Sequence, residues 1–408
     1  MNCRFCRYPL TVPFVDLVNA PPSNAFLTEA QLDEPEVFYP LRVFVCDHCF
    51  LVQIAEYKKS SAIFDNTYAY FSSYSTSWLA HARRYVEMMI ARFKLQPDVR
   101  IMEIASNDGY LLQYLLEHKY HVLGIEPTAN TAAVALAKGI PTIVEFFGVR
   151  LARELVARGE NADVVIGNNV LAHVPDINDF VEGLQIVLRP GGVITMEFPH
   201  LLRLMQQTQF DTIYHEHFSY LSFGTVCQIF AAHGLTLFDV EELPTHGGSL
   251  RIYAQAAKTA AHVTTPKVAA LLNLEKELGM DKIAFYTDFQ ARCEKVKNAL
   301  LQFLLERAKA GDRVAAYGAA AKGNTLLNYC GIKPDLLSFV VDKSPHKQGK
   351  YLPGCHVPVV AEDRLRSDKP AYVIIFPWNI KAEIMEQLKY IRDWGGRFVI
   401  PIPHLEIL

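Results

Sequence analysis

The 408-residue sequence predicts an α/β fold in which two units of alternating strands and helices follow a small cysteine-containing module. Strand-like and helical segments alternate from Val99 onward, and the alternation restarts after a long helical connector. Such alternation is typical of a parallel sheet with helices on both faces. At roughly 150 residues per domain, this length fits two or three domains. We expect three, at residues 1–65, 66–262 and 263–408.

The composition excludes several classes of partner. The 40 Lys and Arg residues are balanced by 43 Asp and Glu residues, which gives a net charge of −3. A nucleic-acid-binding surface neutralises phosphates with clustered basic residues, and this sequence has no basic run. It also has no apolar run of about 18 residues and no apolar segment typical of a secretion signal at its start. We therefore expect a cytoplasmic protein with no nucleic-acid and no membrane partner.

The first module contains two Cys-x2-Cys pairs. They are Cys3 with Cys6 and Cys46 with Cys49, and a strand-like run at 41–46 leads into the second pair. Four thiolates in this pattern close a tetrahedron around zinc and leave no position open for water, which predicts a structural zinc site. Four free thiols and a redox-active pair are the alternatives. The matched spacing of the two pairs favours one shared metal ion.

The second unit begins with a helical pattern at 78–93, after a segment rich in Tyr, Phe and Ser. Strands are then predicted at 100–104, 121–125, 162–167 and 192–197, helices at 110–117 and 129–138, and a closing strand pair at 235–241 and 249–255. A continuous helical connector is expected over 266–310. The third unit then has predicted strands at 312–317, 336–342, 371–376 and 397–402.

A candidate nucleotide site follows the first strand of the second unit. The turn into the next helix contains Glu103, Ala105, Asn107, Asp108 and Gly109. Glu126 ends the second strand, where an acid can accept hydrogen bonds from ribose hydroxyls. Asn168 follows the predicted strand at 162–167 and is expected at the same sheet edge. A purely structural turn is the alternative. Since the Gly-x-Gly-x-x-Gly pattern of dinucleotide sites is missing, the residues favour S-adenosylmethionine over NAD.

The densest group of reactive side chains is the run from Tyr214 to Tyr220. It includes Tyr214, Glu216 and His217. A neutral imidazole removes protons effectively near neutral pH, a carboxylate orients it, and a phenol donates a hydrogen bond to a developing oxyanion. A buried polar turn and a pair of metal ligands are the alternatives. His215 and His217 are two residues apart, so on a helix they would point to different sides, which argues against a shared metal.

Two further motifs predict contacts with a substrate. His246, Ser249 and Arg251 surround a glycine turn before a strand, where Arg251 would contact a phosphate or a sugar unless the glycines merely form a hairpin. In the third unit, Tyr317, Gly318, Lys322 and Asn324 mark another strand, turn and helix start. Backbone N–H groups at a helix start hold phosphate, and Lys322 would supply the positive charge. Asp342 is a candidate ribose acceptor.

Taken in this order, the motifs resemble those of the nucleotide-sugar C-methyltransferases, and the resemblance covers essentially the whole chain. It implies a zinc-binding N-terminal module, a class I methyltransferase core and a C-terminal Rossmann-like domain that binds substrate. It also implies that His217 is the general base, that His173 belongs to the active site, and that the segment around Tyr68 faces the sugar. Ala105 departs from the family pattern, which often has glycine at this position.

The resemblance implies S-adenosylmethionine-dependent C-methylation of a nucleotide-linked 4-keto-deoxysugar. The ketone acidifies the neighbouring C–H bond, His217 would remove that proton, and the resulting enolate would attack the methyl group. His173 or Tyr214 would stabilise the enolate, and Glu216 would orient the base. Methylation at C3 or C5 stays open, as do the nucleotide and the C3 substituent. The alternatives are O- or N-methylation of another small molecule, a nicotinamide-dependent sugar oxidoreductase, and a zinc-finger RNA-binding methyltransferase. We expect a monomer, since one chain has both ligand domains.

Overall fold

A computed structural model describes residues 1–59 and 70–408. Tyr68, expected to face the sugar, lies outside the described residues. The strands are, in chain order, β1 (Val12–Ala20), β2 (Tyr39–Val45), β3 (Val52–Ile54), β4 (Arg100–Ile104), β5 (His121–Ile125), β6 (Thr142–Ile143), β7 (Ala162–Asn168), β8 (Leu188–Pro199), β9 (Ser219–Tyr220), β10 (Leu235–Leu243), β11 (Ser249–Ala256), β12 (Val314–Tyr317), β13 (Val340–Val341), β14 (Val359–Val360), β15 (Tyr372–Ile375), β16 (Arg397–Ile400) and β17 (Glu406–Ile407).

The helices follow the same alternation. They are α1 (Thr76–Phe93), α2 (Leu112–Glu117), α3 (Ala129–Ala137), α4 (Val149–Ala157), α5 (Ile177–Val187), α6 (Leu201–Gln206), α7 (Phe223–Ala232), α8 (Pro266–Glu277), α9 (Phe289–Ala310), α10 (Ala321–Cys330), α11 (Asp363–Asp368) and α12 (Lys381–Gln387). Side chains fix several of their first turns: Ser75 Oγ accepts from Trp78 N before α1, and Asp176 Oδ1 accepts from two N–H groups of α5. Along residues 1–59 and 70–408, no helix has both the length and the apolar character that crossing a membrane requires.

The second unit is built on a seven-stranded sheet in the order β10-β11-β8-β7-β4-β5-β6. The strands from β8 to β6 are parallel, while β11 pairs antiparallel with β8 and β10 antiparallel with β11. The third unit has a six-stranded sheet in the order β14-β13-β12-β15-β16-β17, parallel except for β17. The predicted α/β fold with two Rossmann-like units is confirmed.

The first module has a four-stranded antiparallel sheet in the order β1-β2-β3-β9. Its last strand, β9, comes from the second unit, so this sheet joins two parts of the chain that lie far apart in sequence. On the other side, the ring of Phe14 from β1 stacks on Phe289 of α9 at a centroid distance of 4.6 Å. The module therefore packs against both of the larger units.

Two predicted elements differ from the structure. The connector expected as one helical stretch over 266–310 is broken between α8 and α9, because Gly279 adopts a left-handed conformation with φ +85°. The strand expected at 336–342 is reduced to Val340–Val341, since the N–H groups of Leu336 and Leu337 both donate to the carbonyl of Lys333 in a turn. In both places local turn formation overrides the apolar pattern.

Glu275 on α8 links the connector to the second unit. One carboxylate oxygen contacts His200 Nε2 at 2.7 Å and accepts from Phe223 N at 2.8 Å, and the other accepts from Gly224 N at 2.8 Å. Glu275 and His200 are both buried. The carboxylate thus satisfies two N–H groups in the first turn of α7 that have no partner within the helix.

We expect the substitution Glu275→Ala to lower the free energy of unfolding by about 3 kcal/mol, because it leaves buried donors without an acceptor. Thermal and denaturant unfolding would measure the loss. The control is Glu277→Ala, an exposed acid on the same helix, which should change the stability by less than about 0.5 kcal/mol. Equal effects of the two substitutions would contradict this assignment.

Candidate active site

The carboxyl ends of β4, β5 and β7 open into one cavity of about 500 Å³. In an open α/β sheet this edge is where ligands bind. The cavity is closed on its other side by the third unit. The predicted site residues that line it are Ala105, Asn107, Glu126, Asn168, His173, Tyr214, Glu216, His217, His246 and Lys322. Residues predicted for the cofactor, the catalytic groups and the substrate therefore share one cavity.

The cofactor end of the cavity is acidic. Glu126 accepts from the N–H groups of Asn107 and Thr128 at 2.9 and 2.8 Å, so it holds the turn after β4 against the end of β5. Behind this turn, Glu103 is fully buried beside the hydroxyl of Tyr110. Burial, with Asp108 and Glu126 nearby, raises the pKa of Glu103 well above its usual range.

Buried oxygens at this end lack partners among the described residues. Neither carboxylate oxygen of Glu103 makes a well-directed hydrogen bond, and Asp108 Oδ1 and the amide of Asn168 also have none. Buried polar groups are nearly always paired. Of these groups the amide of Asn168 lines the cavity, together with the carboxylate of Glu126, and an ammonium group such as that of S-adenosylmethionine would donate to oxygens of this kind. The residues fit this cofactor.

The turn after β4 is tightly folded. Ala105 and Asn107 have φ values of 57° and 50°, in the left-handed region that glycine adopts most easily. Gly109 has φ +75°, and a Cβ there would lie 2.4 Å from the side chain of Ile140. The glycine is therefore required by packing, while Ala105 shows that the family's usual glycine is replaceable at the cost of a left-handed alanine.

His217 and His173 form the centre of the cavity wall. Their ring centroids are 4.6 Å apart, and the ring of Tyr214 lies 4.1 Å from that of His217. His217 Nδ1 contacts the carbonyl of Thr212 at 2.8 Å, and His173 Nδ1 contacts the carbonyl of Glu216 at 2.7 Å. Because a carbonyl only accepts, each Nδ1 carries the proton. In the neutral rings the lone pair is therefore on Nε2.

Both histidines are held neutral. Burial lowers the pKa of His217 well below its usual range, with a further contribution from His173. Burial lowers the pKa of His173 to about 4. A neutral imidazole with a lone pair on Nε2 is able to accept a proton from a substrate.

The other members of the Tyr-His-Glu-His run have different surroundings. His215 turns away from the cavity, where its Nε2 lies 3.3 Å from the carbonyl of Pro40 in the first module. Glu216 is buried and accepts from Asn24 Nδ2 at 3.3 Å, and burial raises its pKa. Glu216 was expected to orient His217, but in the structure the Nδ1 atom of His217 contacts the carbonyl of Thr212 instead. Of the two histidines of the run, His217 lines the cavity and His215 does not, and the run forms a turn, not the helix on which the spacing argument was based.

His246 enters the cavity from the turn between β10 and β11. It has φ 55°, and its Nε2 lies 3.1 Å from Asn169 Nδ2. Its ring is 5.3 Å from that of Trp78, and burial lowers its pKa to about 4. Ser249 does not line the cavity; its hydroxyl donates to the carbonyl of Thr245 at 2.9 Å and stabilises this turn.

Arg251 does not reach the cavity. Its guanidinium donates to Glu197 at 2.8 and 2.5 Å and to Glu241 at 3.0 Å, and its side chain is only 6% exposed. A contact from Arg251 to a phosphate or a sugar therefore does not fit its position. The residue ties β11 to β8 and β10, and so its role here is structural.

Most of the residues predicted in the third unit also lie behind the cavity wall. Tyr317 contacts Gln387, Gly318 packs against Pro377, and Asn324 is buried within α10. The Asp342 carboxylate accepts from the N–H groups of Ala319 and Ser344, both at 2.8 Å, so it is already engaged. Only Lys322 of this set lines the cavity, where it donates to Asn379 Oδ1 at 2.9 Å.

Several cavity residues were not predicted from the sequence. They are Asn24, Trp78, Tyr110, Phe146, Phe147, Lys347 and Asn379, among others. Trp78 lies on α1 and Tyr110 in the turn before α2, and at both places an aromatic residue usually belongs to the core. Lys347 and Asn379 come from loops of the third unit that follow β13 and β15. Asp342, which directly follows β13, was the residue in the sequence that pointed to the first of these loops.

The four cysteines of the first module converge. Their sulfur atoms all lie within 4.8 Å of one another, with Cys3 to Cys49 at 3.6 Å and Cys6 to Cys46 at 3.5 Å. Gln53 Nε2 donates to Cys3 Sγ at 3.2 Å. These separations suit the edges of a tetrahedron with zinc–sulfur bonds of about 2.3 Å. The donor set fits zinc, and it would be closed to further ligands.

Backbone hydrogen bonds connect the cysteine cluster to the turn that carries His217. Cys46 to Leu51 forms the turn between β2 and β3, since Cys46 N donates to Leu51 O at 3.0 Å. Strand β3 pairs with β9, and Ile54 N donates to Phe218 O, next to His217. Phe218 N in turn donates to Ala172 O, next to His173. A continuous set of hydrogen bonds therefore connects the metal cluster to both histidines.

Comparison with known proteins agrees with this architecture. Three family models match: a zinc binding domain at residues 3–64, a methyltransferase domain at 78–240 and a C-methyltransferase C-terminal domain at 244–403. Over 407 residues the chain is 33% identical to the C-methyltransferase NovU of Streptomyces niveus, which covers 100% of this chain and 96% of NovU.

Other matches are partial. The ubiquinone biosynthesis O-methyltransferase of Rhizobium etli (strain CIAT 652) is 30% identical over 100 residues, 24% of this chain and 39% of that protein. The magnesium protoporphyrin IX methyltransferase of Synechocystis PCC 6803 has a TM-score of 0.34 at 14% identity, over 44% of this chain and 80% of its own.

The fold and the site define an S-adenosylmethionine-dependent methyltransferase with a zinc-binding module. The match to NovU extends over the full chain and all three family models occur in order, and so the chain belongs to the C-methyltransferase family of which NovU is a member. The expected family and cofactor are thereby confirmed.

We expect zinc removal, by chelation or by Cys46→Ser, to lower methyl transfer by about 100-fold, because misplacing His217 by about 1 Å is sufficient for such a loss. S-Adenosylmethionine affinity should be retained, since the turns of β4 and β5 belong to another sheet. Metal analysis, cofactor titration and turnover measure the three quantities. The control is Cys227→Ser, outside the cluster. Full turnover without zinc would contradict the supporting role of the module.

Proposed function

We propose that the protein transfers the methyl group of S-adenosylmethionine to the carbon next to the ketone, at C3, of a nucleotide-linked 4-keto-deoxysugar. One observation carries this proposal: a single cavity combines the acid Glu126, two neutral histidines, and two lysines of the third unit, of which Lys322 lies at a helix start. S-Adenosylmethionine supplies an electrophilic methyl group. The residues of this chain supply a base for the proton and contacts for the rest of the substrate.

His217 is proposed as the general base. Its Nδ1 proton is held by the carbonyl of Thr212, so Nε2 is the atom that accepts the proton from the carbon next to the ketone. The low pKa of His217 keeps it unprotonated at neutral pH, and the buried surroundings exclude competing water. Removal of that proton leaves the electron pair of the C–H bond in an enolate, whose carbon would bond to the methyl group as the methyl–sulfur bond breaks and S-adenosylhomocysteine leaves.

Tyr214 is the better donor to the enolate oxygen. The proton of His173 is held on Nδ1 by the carbonyl of Glu216, so Nε2 of this neutral ring accepts and does not donate. The phenol of Tyr214 carries an O–H, lies beside the ring of His217 and lines the same cavity. A positioned donor strengthens its hydrogen bond as negative charge develops. His173 then keeps His217 in place and neutral.

The third unit is proposed to hold the nucleotide. Lys322 and Lys347 line the cavity together with Ala320 and Ala321 at the start of α10. Backbone N–H groups at a helix start and ammonium groups both bind phosphate. The third unit is a poor site for NAD. Pro377 packs against Gly318 of the glycine turn, and Asp342, the candidate ribose acceptor, already accepts hydrogen bonds from backbone N–H groups.

Methyl-labelled S-adenosylmethionine and a panel of nucleotide-linked 4-keto-6-deoxysugars test the proposal. The panel includes 3-amino and 2-deoxy forms, and mass spectrometry with carbon NMR locates the new methyl group. We expect it on the carbon next to the ketone. In deuterated water with S-adenosylhomocysteine, the same position should exchange. A methyl group on oxygen or nitrogen, without this exchange, would overturn the proposal in favour of O- or N-methylation.

We expect His217→Asn to lower kcat by about 10²- to 10⁴-fold, the usual contribution of a general base, and to abolish the deuterium exchange. In the wild type, activity depends on unprotonated His217, so it should fall as pH decreases through the pKa of this group. That pKa lies well below the usual histidine value, so the fall should come at lower pH than for an exposed histidine. Full turnover of His217→Asn with intact cofactor binding would contradict the assignment.

We also propose that the protein is a cytoplasmic monomer with domain limits at 1–65, 66–262 and 263–408. The monomer is supported by the cavity, to which one chain contributes both the catalytic histidines and the lysines of the third unit. Sedimentation analysis at the enzyme concentration used for turnover tests the oligomeric state.

A further inference from the structure

We propose that Asp211 and Trp378 are positioning residues for substrate recognition, a pair that joins Lys322 of the third unit to the His246 turn of the second. Neither residue lines the cavity; both lie behind its wall. The inference rests on the proposed function, in which Lys322 faces the phosphates, and on the position of His246, a predicted substrate contact that lines the same cavity.

The pair crosses the boundary between the two units. Asp211 belongs to the turn Phe210–Thr212, between α6 and β9, and Trp378 follows β15. The indole N–H of Trp378 donates to Asp211 Oδ2 at 2.8 Å. Asp211 is 1% exposed and Trp378 is 7% exposed, so this hydrogen bond is shielded from water. A buried hydrogen bond to a charged group is among the stronger ones in proteins.

The indole ring contacts Lys322. The Lys322 ammonium lies 4.3 Å from the centroid of the Trp378 ring, and it also donates to Asn379 Oδ1 at 2.9 Å. A desolvated ammonium over an indole face is a favourable cation–π arrangement. Trp378 and Asn379 are adjacent in sequence, so one short turn fixes both contacts of the lysine. The ammonium is thereby held at a set place in the cavity wall.

The other edge of the indole contacts the His246 turn. Gly247 has φ +88°, and a Cβ at this position would lie 2.4 Å from Cη2 of Trp378. Only glycine leaves room for the ring there. Gln209 Nε2 donates to the carbonyl of Gly247 at 2.7 Å and holds the turn on its other side. This contact across the two units explains Gly247, whereas a Cβ at the neighbouring Gly248 would lie 2.6 Å from the side chain of Arg203 in the second unit.

The charge of Asp211 has a second effect. Asp211 Oδ1 has no hydrogen-bond partner among residues 1–59 and 70–408, and burial raises the pKa of this carboxyl to about 6. Burial lowers the pKa of Lys322, and Asp211 raises it. The charged and titratable groups that face Lys322 are Asp211, His217 and His246, and both histidines are neutral. Asp211 is therefore the group that favours the protonated lysine.

Two substitutions test the pair. Asp211→Asn removes the negative charge and keeps the shape, and Trp378→Phe removes the indole N–H and keeps an aromatic ring beside Lys322. The control is Trp394→Phe, which removes the indole hydrogen bond to the Pro370 carbonyl in the same unit, away from the cavity. For each protein we measure titrations with thymidine and uridine diphosphate, S-adenosylmethionine affinity, and kcat and KM for the ketosugar as a function of pH.

We expect both substitutions to raise KM and the nucleoside diphosphate Kd by about tenfold, with S-adenosylmethionine affinity unchanged. In Asp211→Asn the lysine loses the group that raises its pKa, so kcat/KM should decline with rising pH at a lower pH than in the wild type. Trp394→Phe should behave as the wild type. If Asp211→Asn folds poorly, Trp378→Phe still tests the pair, because it removes the same hydrogen bond from the other side.

The outcomes separate this inference from the proposed function. If the wild type binds nucleoside diphosphate and methylates a ketosugar, while both variants keep the wild-type Kd and pH profile, the positioning role is overturned. A loss of thermal stability and kcat alone would likewise mean a structural role only. If the wild type neither binds a nucleoside diphosphate nor methylates the panel, the proposed function fails, and this inference fails with it.

Discussion

The active site depends on the pairing of β9 with β3. This contact pairs Ser219 and Tyr220 with Gln53 and Val52, and so the turn that carries His217 is anchored on a sheet that the four cysteines stabilise. A two-residue strand has little stability of its own, because most of its order comes from the strand it pairs with. Zinc ligation fixes that partner strand. The module therefore supports the turn that carries His217, the proposed base, even though the four cysteines do not line the cavity.

Burial shifts the pKa values of the acids and of the histidines at this site in opposite directions. Desolvation disfavours the charged form of any group, so it raises the pKa of Glu103 and lowers those of His173, His217 and His246. A histidine with an unshifted pKa would be protonated for part of the time at neutral pH and would then be unable to act as a base. Burial therefore keeps His217 unprotonated at neutral pH, as its proposed role as a base requires.

The sequence predicted what local patterns control. The strands of the second unit, the acidic turn after β4 and the cysteine pairs follow from periodicity and spacing, and the structure agrees with them. Arg251 and Trp378 show what such patterns do not contain. The sequence motif predicted that Arg251 contacts a ligand, but the residue binds Glu197 on β8, 54 residues earlier in the chain. The partner of Trp378, Asp211, is 167 residues away. These contacts arise from packing between distant segments, which no local motif encodes.

The arrangement of charge in the cavity favours one end for a cationic ligand and the other end for an anionic ligand. The end formed by the turns of β4 and β5 carries acids, the centre carries neutral histidines, and the wall from the third unit carries Lys322 and Lys347. A cationic methyl donor is repelled by the lysines and attracted by the acids, and the diphosphate of the proposed substrate would behave in the opposite way. Neither of the two ligands would then compete well for the place of the other. In the proposed reaction the carbon that is methylated would lie at the neutral centre, where charge develops only as the proton leaves.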